Sequence, residues 1–520
     1  VLMNERVLYK RTCSKCSKPV ISNMSEVAPF PVYCNECWWA DDWDPIEYGQ
    51  EFDFNRPFFE QFKELYHKVP WQNLHVLAPT LIRSEYSHNC SYLKDCYLLF
   101  TSDYSENCMY GNSVEYTKDS LDLLFAHSCT ECYESVNIQK CNRTFYSVDC
   151  AECFNVYASK NLVGCSDCVG CINLKNKKYH IFNEPYSKEE YEKKVKEMRL
   201  DTASGIADLR KIADEFFLTQ PRRYMHGRQN VDVSGEYVVN SKNTHESYQI
   251  MDTVDSKFCS FFILGPVSDA YDFSMWGGGS QLVYECIAAG GGISNALGCF
   301  ELWSESPNLS YCSNIIASCA NLFGCIGLRN KKYCILNKQY TKEEYEALAP
   351  KIIDHMKKAG EYGEFFPESM SPFAYNETSA QEYFPLTKDE ALAKGYRWKD
   401  PETKVRSITM NASELSDGIH DTEDSITEEM ISCGHGGKCN DGCTSAYRIL
   451  PKELEFYRKY SLPLPRLCPN CRYGERLKER NPIKLWDRSC VKCAKPIRTS
   501  YAPERPEIVY CESCYASEVA

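Results

Sequence analysis

Short clusters of cysteine, aromatic and β-branched residues recur through the middle of this chain, separated by Asn, Asp, Ser and Gly. The first half carries Asp95-Cys96-Tyr97-Leu98, Asn107-Cys108-Met109-Tyr110, Ser120-Leu121-Asp122-Leu123 and Glu131-Cys132-Tyr133, starting about twelve residues apart. Glu152-Cys153-Phe154 and Asp167-Cys168-Val169 follow at looser spacing, and a weaker series runs from Glu236-Tyr237-Val238 to Val283-Tyr284-Glu285-Cys286. Apolar runs bounded by turn formers predict strands of three to five residues. Two such steps would make a coil of roughly 20–24 residues, within the range of solenoid repeats. The predicted fold is therefore mainly β: a duplicated, cysteine-rich parallel β-solenoid, because stacked coils place like residues in interior ladders. Cysteine suits a narrow interior, being small, apolar and usually buried.

Helical patterns connect these series. NRPFFEQFKELYHKVP (55–70) offers a cap at Asn55, Pro57 in the first turn, and Phe58, Phe59, Phe62, Leu65 and Tyr66 on one face, expected to pack on the first coil. GCINLKNKKYHIFNEPYSKEEYE (170–192) recurs as GCIGLRNKKYCILNKQYTKEEYE (324–346), with 16 of 23 positions identical. Ser187 with Glu190 and Thr341 with Glu344 form capping boxes, so a helix starts after each copy. Further helices are predicted at 202–219, 341–358 and 386–398. The acidic, Ser/Thr-rich stretch 400–430 is expected to be a linker.

The termini follow a different pattern. CSKCSKPVISNMSEVAPFPVYCNEC (13–37) returns as CVKCAKPIRTSYAPERPEIVYCESC (490–514), each Cys-x2-Cys, seventeen residues, Cys-x2-Cys. Shifted by 477, residues 4–38 match 13 of 35 positions without a gap, which is repetition of a module. Two tight turns presenting two sulfurs each suit one tetrahedral zinc, so Cys13, Cys16, Cys34 and Cys37 form one expected site and Cys490, Cys493, Cys511 and Cys514 another. Cys439, Cys443, Cys468 and Cys471 make a third, with Cys433 and His435 near enough to replace a ligand. About three structural zinc ions per chain are expected. For Cys129-x2-Cys132, Cys150-x2-Cys153 and Cys165-x2-Cys168-x2-Cys171, packing ladders and metal both remain open.

The layout is thus a zinc ribbon at 1–50, a helical linker at 51–80, solenoid halves at 81–185 and 228–340 joined by a helical connector at 186–227, a helical and acidic segment at 341–430, and tandem ribbons at 431–520. The 31 cysteines come without an export signal or a run of eighteen apolar residues, so a cytoplasmic chain that spans no membrane is expected, its thiols ligating metal instead of forming disulfides.

Charge separates the ends from the body. The net charge is −13, yet residues 466–498 carry ten basic and three acidic side chains. Lysine and arginine there offset thiolate charge or contact phosphate; Arg472, Arg476, Lys478, Arg480, Lys484 and Arg488 are the candidate phosphate contacts. The basic turn at Lys175, Lys177 and Lys178, matched by Arg329, Lys331 and Lys332, is expected to be a solvated loop, with a phosphate contact as the alternative. No catalytic residue is assigned: there is no His-x3-His, Gly-x-Ser-x-Gly or Walker loop. Asp103, Glu106, Asp269 and Asp272 would serve a solenoid enzyme only if they faced one another.

Asn-x3-Leu-[Tyr/Trp]-x-Arg-x-Cys-x2-Cys, WWADDWDPIEYGQEFDFNRPFFEQF, GCIGLRNKKYCILNKQYTKEEYE and LCPNCRYGERLKERNP together resemble an uncharacterised zinc-ribbon, cysteine-rich repeat family of candidate-phyla-radiation bacteria (Patescibacteria), over nearly the whole chain. The resemblance implies a bacterial, cytoplasmic protein and no particular reaction. In that family an arginine-rich knuckle precedes the ribbon, which implies a natural chain extending upstream of Val1. The expected function is a non-enzymatic zinc-binding scaffold, able to oligomerise or to hold a protein partner. The alternatives are a nucleic-acid- or ribosome-associated factor binding RNA or DNA through the basic ribbons, and a solenoid enzyme with surface carboxylates.

Overall fold

The computed structural model describes residues 2–303, 305–400 and 407–519. Two compact units divide the chain. One comprises Val1–His75, Arg223–Arg397 and Pro482–Arg505; the other comprises Val76–Arg222, Trp398–Asn481 and Pro506–Ala520. Each contains one 13-stranded sheet.

In the second unit the sheet runs from Leu81–Ile82 to Glu184–Pro185. Its pairings are parallel and repeat every twelve residues: Phe100 pairs with Asn112, Asn112 with Leu124, and Leu124 with Val136. One antiparallel pair, Lys178–Ile181 with Glu184–Pro185, closes the series. Directly paired strands are thus one twelve-residue step apart, where a coil of two such steps was expected. The cause is a bend at every third residue: Asn107, Tyr110, Ser113, Tyr116, Asp119 and Asp122 all have φ between 46° and 58°. Left-handed backbone costs a non-glycine residue about 1–2 kcal/mol. Here each bend's N–H is engaged across rungs, as from Tyr110 N to Tyr97 O at 3.0 Å and Ser128 N to Glu115 O at 2.9 Å.

The same period sets the interior. Every third residue from Ser84 to Cys171 is buried, and these positions hold mainly Cys, Ser, Thr, Leu and Val. The small polar ones also bond the backbone. Cys108 Sγ donates to Thr117 O at 3.4 Å, Cys141 Sγ to Cys150 O at 3.4 Å, and Ser135 Oγ to Thr144 O at 3.2 Å. Ser102 Oγ accepts from Val114 N at 3.0 Å, and Ser120 Oγ from Cys132 N at 3.0 Å. Buried backbone groups turned out of the ladder by the bends thus find partners.

In the first unit the sheet runs from Gly227–Arg228 to Lys338–Gln339. Its parallel intervals vary with local insertions: Val238 pairs with Ile250, Val254 with Ser268, and Ser294 with Pro307. The helix Phe58–Lys68 packs on this sheet, not on the first series, with Phe58 ring centroids 5.2 Å from Tyr311 and 5.4 Å from Phe323. Asn55 does not cap it. Glu361 does so from far along the chain, accepting from Phe58 N at 2.9 Å and Phe59 N at 3.0 Å. The basic turn is not a solvated loop at Arg329, whose guanidinium lies 4.7–5.3 Å from the ring centroids of Trp38, Trp39 and Trp43. Lys331 Nζ pairs with Asp44 at 2.7 Å.

The helices Lys188–Glu197 and Lys342–Ala359 start at their expected capping boxes, and the helix expected at 386–398 is the shorter Lys388–Ala393, capped by Thr387 with Glu390. Part of the expected linker, 401–406, lies outside the described residues. From residue 407 onward it is not a free linker: Leu415, Ile419 and Ile426 are buried with Tyr447, Leu454 and Tyr457. Spaced apolar residues within an acidic stretch suffice to hold it down.

Candidate metal centres

At the N-terminus, strand Tyr9–Thr12 pairs with Pro19–Ser22. Between them Cys13 N donates to Lys18 O, and Ser17 takes φ 61°, a tight knuckle that brings Cys13 and Cys16 to one side. The second knuckle is a helix start: Cys34 caps Asn35–Trp38, its Sγ accepting from Cys37 N at 3.4 Å. Cys34 N in turn donates to Cys13 Sγ at 3.2 Å. The four sulfurs lie within 4.8 Å of one another, with Cys16 and Cys34 3.8 Å apart. A tetrahedral zinc with bonds of about 2.3 Å requires sulfur edges of about 3.8 Å. The donor set fits.

The C-terminal copy repeats the first hairpin residue for residue, while its second knuckle opens a longer helix, Glu512–Val519. Trp486–Ser489 pairs with Pro496–Thr499 in the same register, and Ala494 takes the left-handed place of Ser17 at φ 59°. Arg488 Nη1 donates to Ala502 O at 3.1 Å, as Arg11 Nη1 donates to Ser25 O at 2.8 Å. Cys490, Cys493, Cys511 and Cys514 gather as the second tetrad.

The third tetrad differs from the expected one. It consists of Cys433, Cys443, Cys468 and Cys471, so Cys433 takes the place given to Cys439. Cys433 Sγ lies 3.7 Å from Cys471 Sγ, and Cys443 Sγ lies 4.0 Å from Cys468 Sγ. Pairing of Ile431–Ser432 with Ala446–Tyr447 delivers Cys433 to the site, a pairing that Cys-to-Cys spacing does not encode. Cys439 is 3.5 Å from Cys471 and groups instead with His435 and Cys471.

Crowded thiols cannot all ionise alone, and their acidities diverge. Burial raises Cys13, but backbone N–H donors from Cys16, Cys34 and Lys15 outweigh it and bring it down to about 6. The neighbouring Cys471 thiol holds Cys468 down to about 4, while Cys471 itself is driven up by the Cys468 thiolate. A divalent ion would resolve the conflict by taking every sulfur as thiolate.

The basic residues divide. Arg472 and Arg476 are buried inside the second unit, so neither presents itself to phosphate. Arg472 Nε and Arg476 Nη1 each lie 2.9 Å from an oxygen of Asp122, whose side chain is fully buried. Arg476 also approaches Glu134 Oε1 at 3.3 Å and donates to Tyr110 O at 3.2 Å. Glu453 joins through Arg472 at 3.6 Å and accepts from Tyr110 OH at 2.9 Å; burial raises its carboxyl to about 6. Lys478 pairs with Glu475 and Asp441. Arg480 lies over Phe125, Lys484 lies over Trp486, and Arg488 holds the ribbon as described. Asp122 carried no sequence signal for this role beyond sitting in an otherwise apolar run.

The inward cysteines behave as packing residues. Cys129, Cys132, Cys150, Cys153, Cys165, Cys168 and Cys171 are buried, and their thiols donate to carbonyls. They belong to none of the metal-capable groups found among the described residues. Burial pushes the thiols of Cys96 to about 11 and Cys259 to about 12, the behaviour of inert core thiols.

Of the candidate carboxylates, Asp103 and Glu106 are engaged separately. Asp103 accepts from Ser91 N and Oγ at 2.6 Å, and Glu106 pairs with Lys94 and Lys118. The first unit holds a further buried pair, His75 Nδ1 with Glu301 Oε1 at 3.2 Å. Burial lowers His75 to about 4 and raises Glu301 to about 8.

No family model matches the chain, and no curated protein does. Among solved structures, an acetyltransferase candidate from Desulfovibrio desulfuricans G20 is similar at 10% identity, covering 51% of this chain and 68% of that one, with a TM-score of 0.11. So low a score carries no argument about fold or activity. No helix among the described residues is long and apolar enough to cross a membrane.

Proposed function

We propose that the protein is a non-enzymatic scaffold in which two parallel β-solenoids of short, four-sided coils form the body and three structural zinc ions hold the outlying segments in place. The twelve-residue register and the bend at every third residue support the solenoid reading. Four thiolates per tetrad leave no open position for a substrate, which supports a structural ion.

The observation that carries the proposal is the helix Pro469–Lys478. Its first turn supplies Cys471 to the third tetrad, and its next residues, Arg472 and Arg476, end on Asp122 of the sheet. Metal site and sheet are thus joined by one rigid element. A phosphate-binding role has less support, since those two arginines are committed inside the protein.

Elemental analysis of the native protein is expected to find no fewer than about three zinc ions per chain, one for each tetrad. Iron occupies four-thiolate sites too, so iron in place of zinc would overturn the metal assignment. Chelation should expose residues 431–480 to protease. Unchanged digestion after complete metal removal would overturn the structural role.

A further inference from the structure

The third tetrad leaves two ligating side chains over. Cys439 and His435 lie on a turn held by Gly436 N to Cys433 O at 2.8 Å and Lys438 N to His435 O at 3.0 Å. Gly436 and Gly437, both at positive φ, bend it back toward Cys471. The ligand atoms of His435, Cys439 and Cys471 all lie within 4.8 Å of one another, with Cys439 Sγ 3.5 Å from Cys471 Sγ. This group shares Cys471 with the tetrad and no other residue. His435 Nδ1 is buried and has no hydrogen-bond partner among the described residues, an unsatisfied ring nitrogen on a residue of the group.

The geometry points to a second divalent ion beside the third tetrad, bound by His435, Cys439 and a bridging Cys471 thiolate. Three protein ligands leave its fourth position to water or an exogenous donor, the arrangement of an exchangeable site and not of a closed structural one. Cys439 and His435 are only partly buried, so solvent reaches that side. A second cation also offsets the thiolate charge that one ion leaves on a mostly buried cluster. The inference rests on the proposed tetrads, and metal counting separates the two.

The test uses the full chain saturated with zinc, desalted, and counted by native mass spectrometry and elemental analysis. The expected result is about four ions in the unaltered protein and about three in Cys439→Ser and in His435→Ala, with unchanged protease resistance. X-ray absorption at the zinc edge should show a zinc–zinc scattering path that Cys439→Ser removes. About three ions in the unaltered protein, with no such path, would overturn the second ion while leaving the tetrads in place, even if one substitution removed an ion. Fewer than three would overturn the tetrads and this site together.

Discussion

Replacing Asp122 with alanine tests how the third metal centre is held to its sheet. Asp122 is fully buried and lies 2.9 Å from each of two guanidinium groups, with Arg472 and Arg476 themselves 3% and 2% exposed. Removing one partner of a buried ion pair costs about 3–5 kcal/mol, because the opposing charge stays behind without compensation. Glu134 and Glu453 remain within 3.3–3.9 Å of the arginines and would recover part of the loss. An effect toward the lower end, about 3 kcal/mol, is therefore expected. Two compact units make a single global transition a poor measure, so hydrogen exchange of the amides at 469–480 in the zinc-loaded protein is the assay. A loss of about 3 kcal/mol accelerates exchange by roughly 100- to 200-fold. Glu131→Ala is the control, since Glu131 pairs with Arg143 and Lys459 near the surface, where such pairs are worth about 0–1 kcal/mol. Equal effects from the two substitutions would refute the view that this buried cluster anchors the helix.

The pair His75 and Glu301 predicts a pH dependence. Glu301 holds its proton more tightly folded than unfolded, so its contribution falls as pH rises from about 4.5 to about 8. His75 holds its proton less tightly folded, so its contribution rises between about 4 and 6.5 and offsets the first. First-unit stability should therefore decline between pH 6.5 and 8, and Glu301→Gln should flatten that decline in hydrogen exchange of first-unit amides, corrected for the intrinsic rate at each pH; a persisting slope would refute it. Cys132→Ser and Cys150→Ser should leave metal content unchanged and cost only about 1 kcal/mol, since serine fills equivalent positions at Ser135 and Ser147. Loss of an ion in either variant would show that these thiols ligate metal. Gly49→Ala should destabilise the first unit by about 1–3 kcal/mol, its Cβ meeting Asn337 O at 2.7 Å, and unchanged hydrogen exchange of first-unit amides would refute that contact.

The terminal ribbons were legible because a zinc knuckle is a local object. Its ligands sit three residues apart, and the hairpin that returns the second pair is short. The capping boxes at Ser187 and Thr341 were legible for the same reason. The strand repeat was half legible. Twelve-residue spacing showed in Asp95, Asn107 and Glu131, but it marks the interval between directly paired parallel strands, where two such steps were expected. A period of three matches neither a strand nor a helix, and Cys, Ser, Thr, Leu and Val alternate at the inward sites, so no hydrophobicity pattern exposes them. Left-handed backbone at Tyr110, Phe125 and Glu131 could not be anticipated from residues that ordinarily avoid it.

Sequence alone determined the two terminal tetrads, the duplicated segments and the predominance of short strands, since each follows from neighbours within about twenty residues. Tertiary structure decided the rest. It chose Cys433 over Cys439, moved Glu361 to cap the helix at Phe58, seated that helix on Tyr311 and Phe323, and drew Arg472 and Arg476 inside onto Asp122. These outcomes join residues up to about three hundred and fifty positions apart. A charge or a thiol has the same local signature whether it faces water or a partner, and only folding of the distant segment against it settles which.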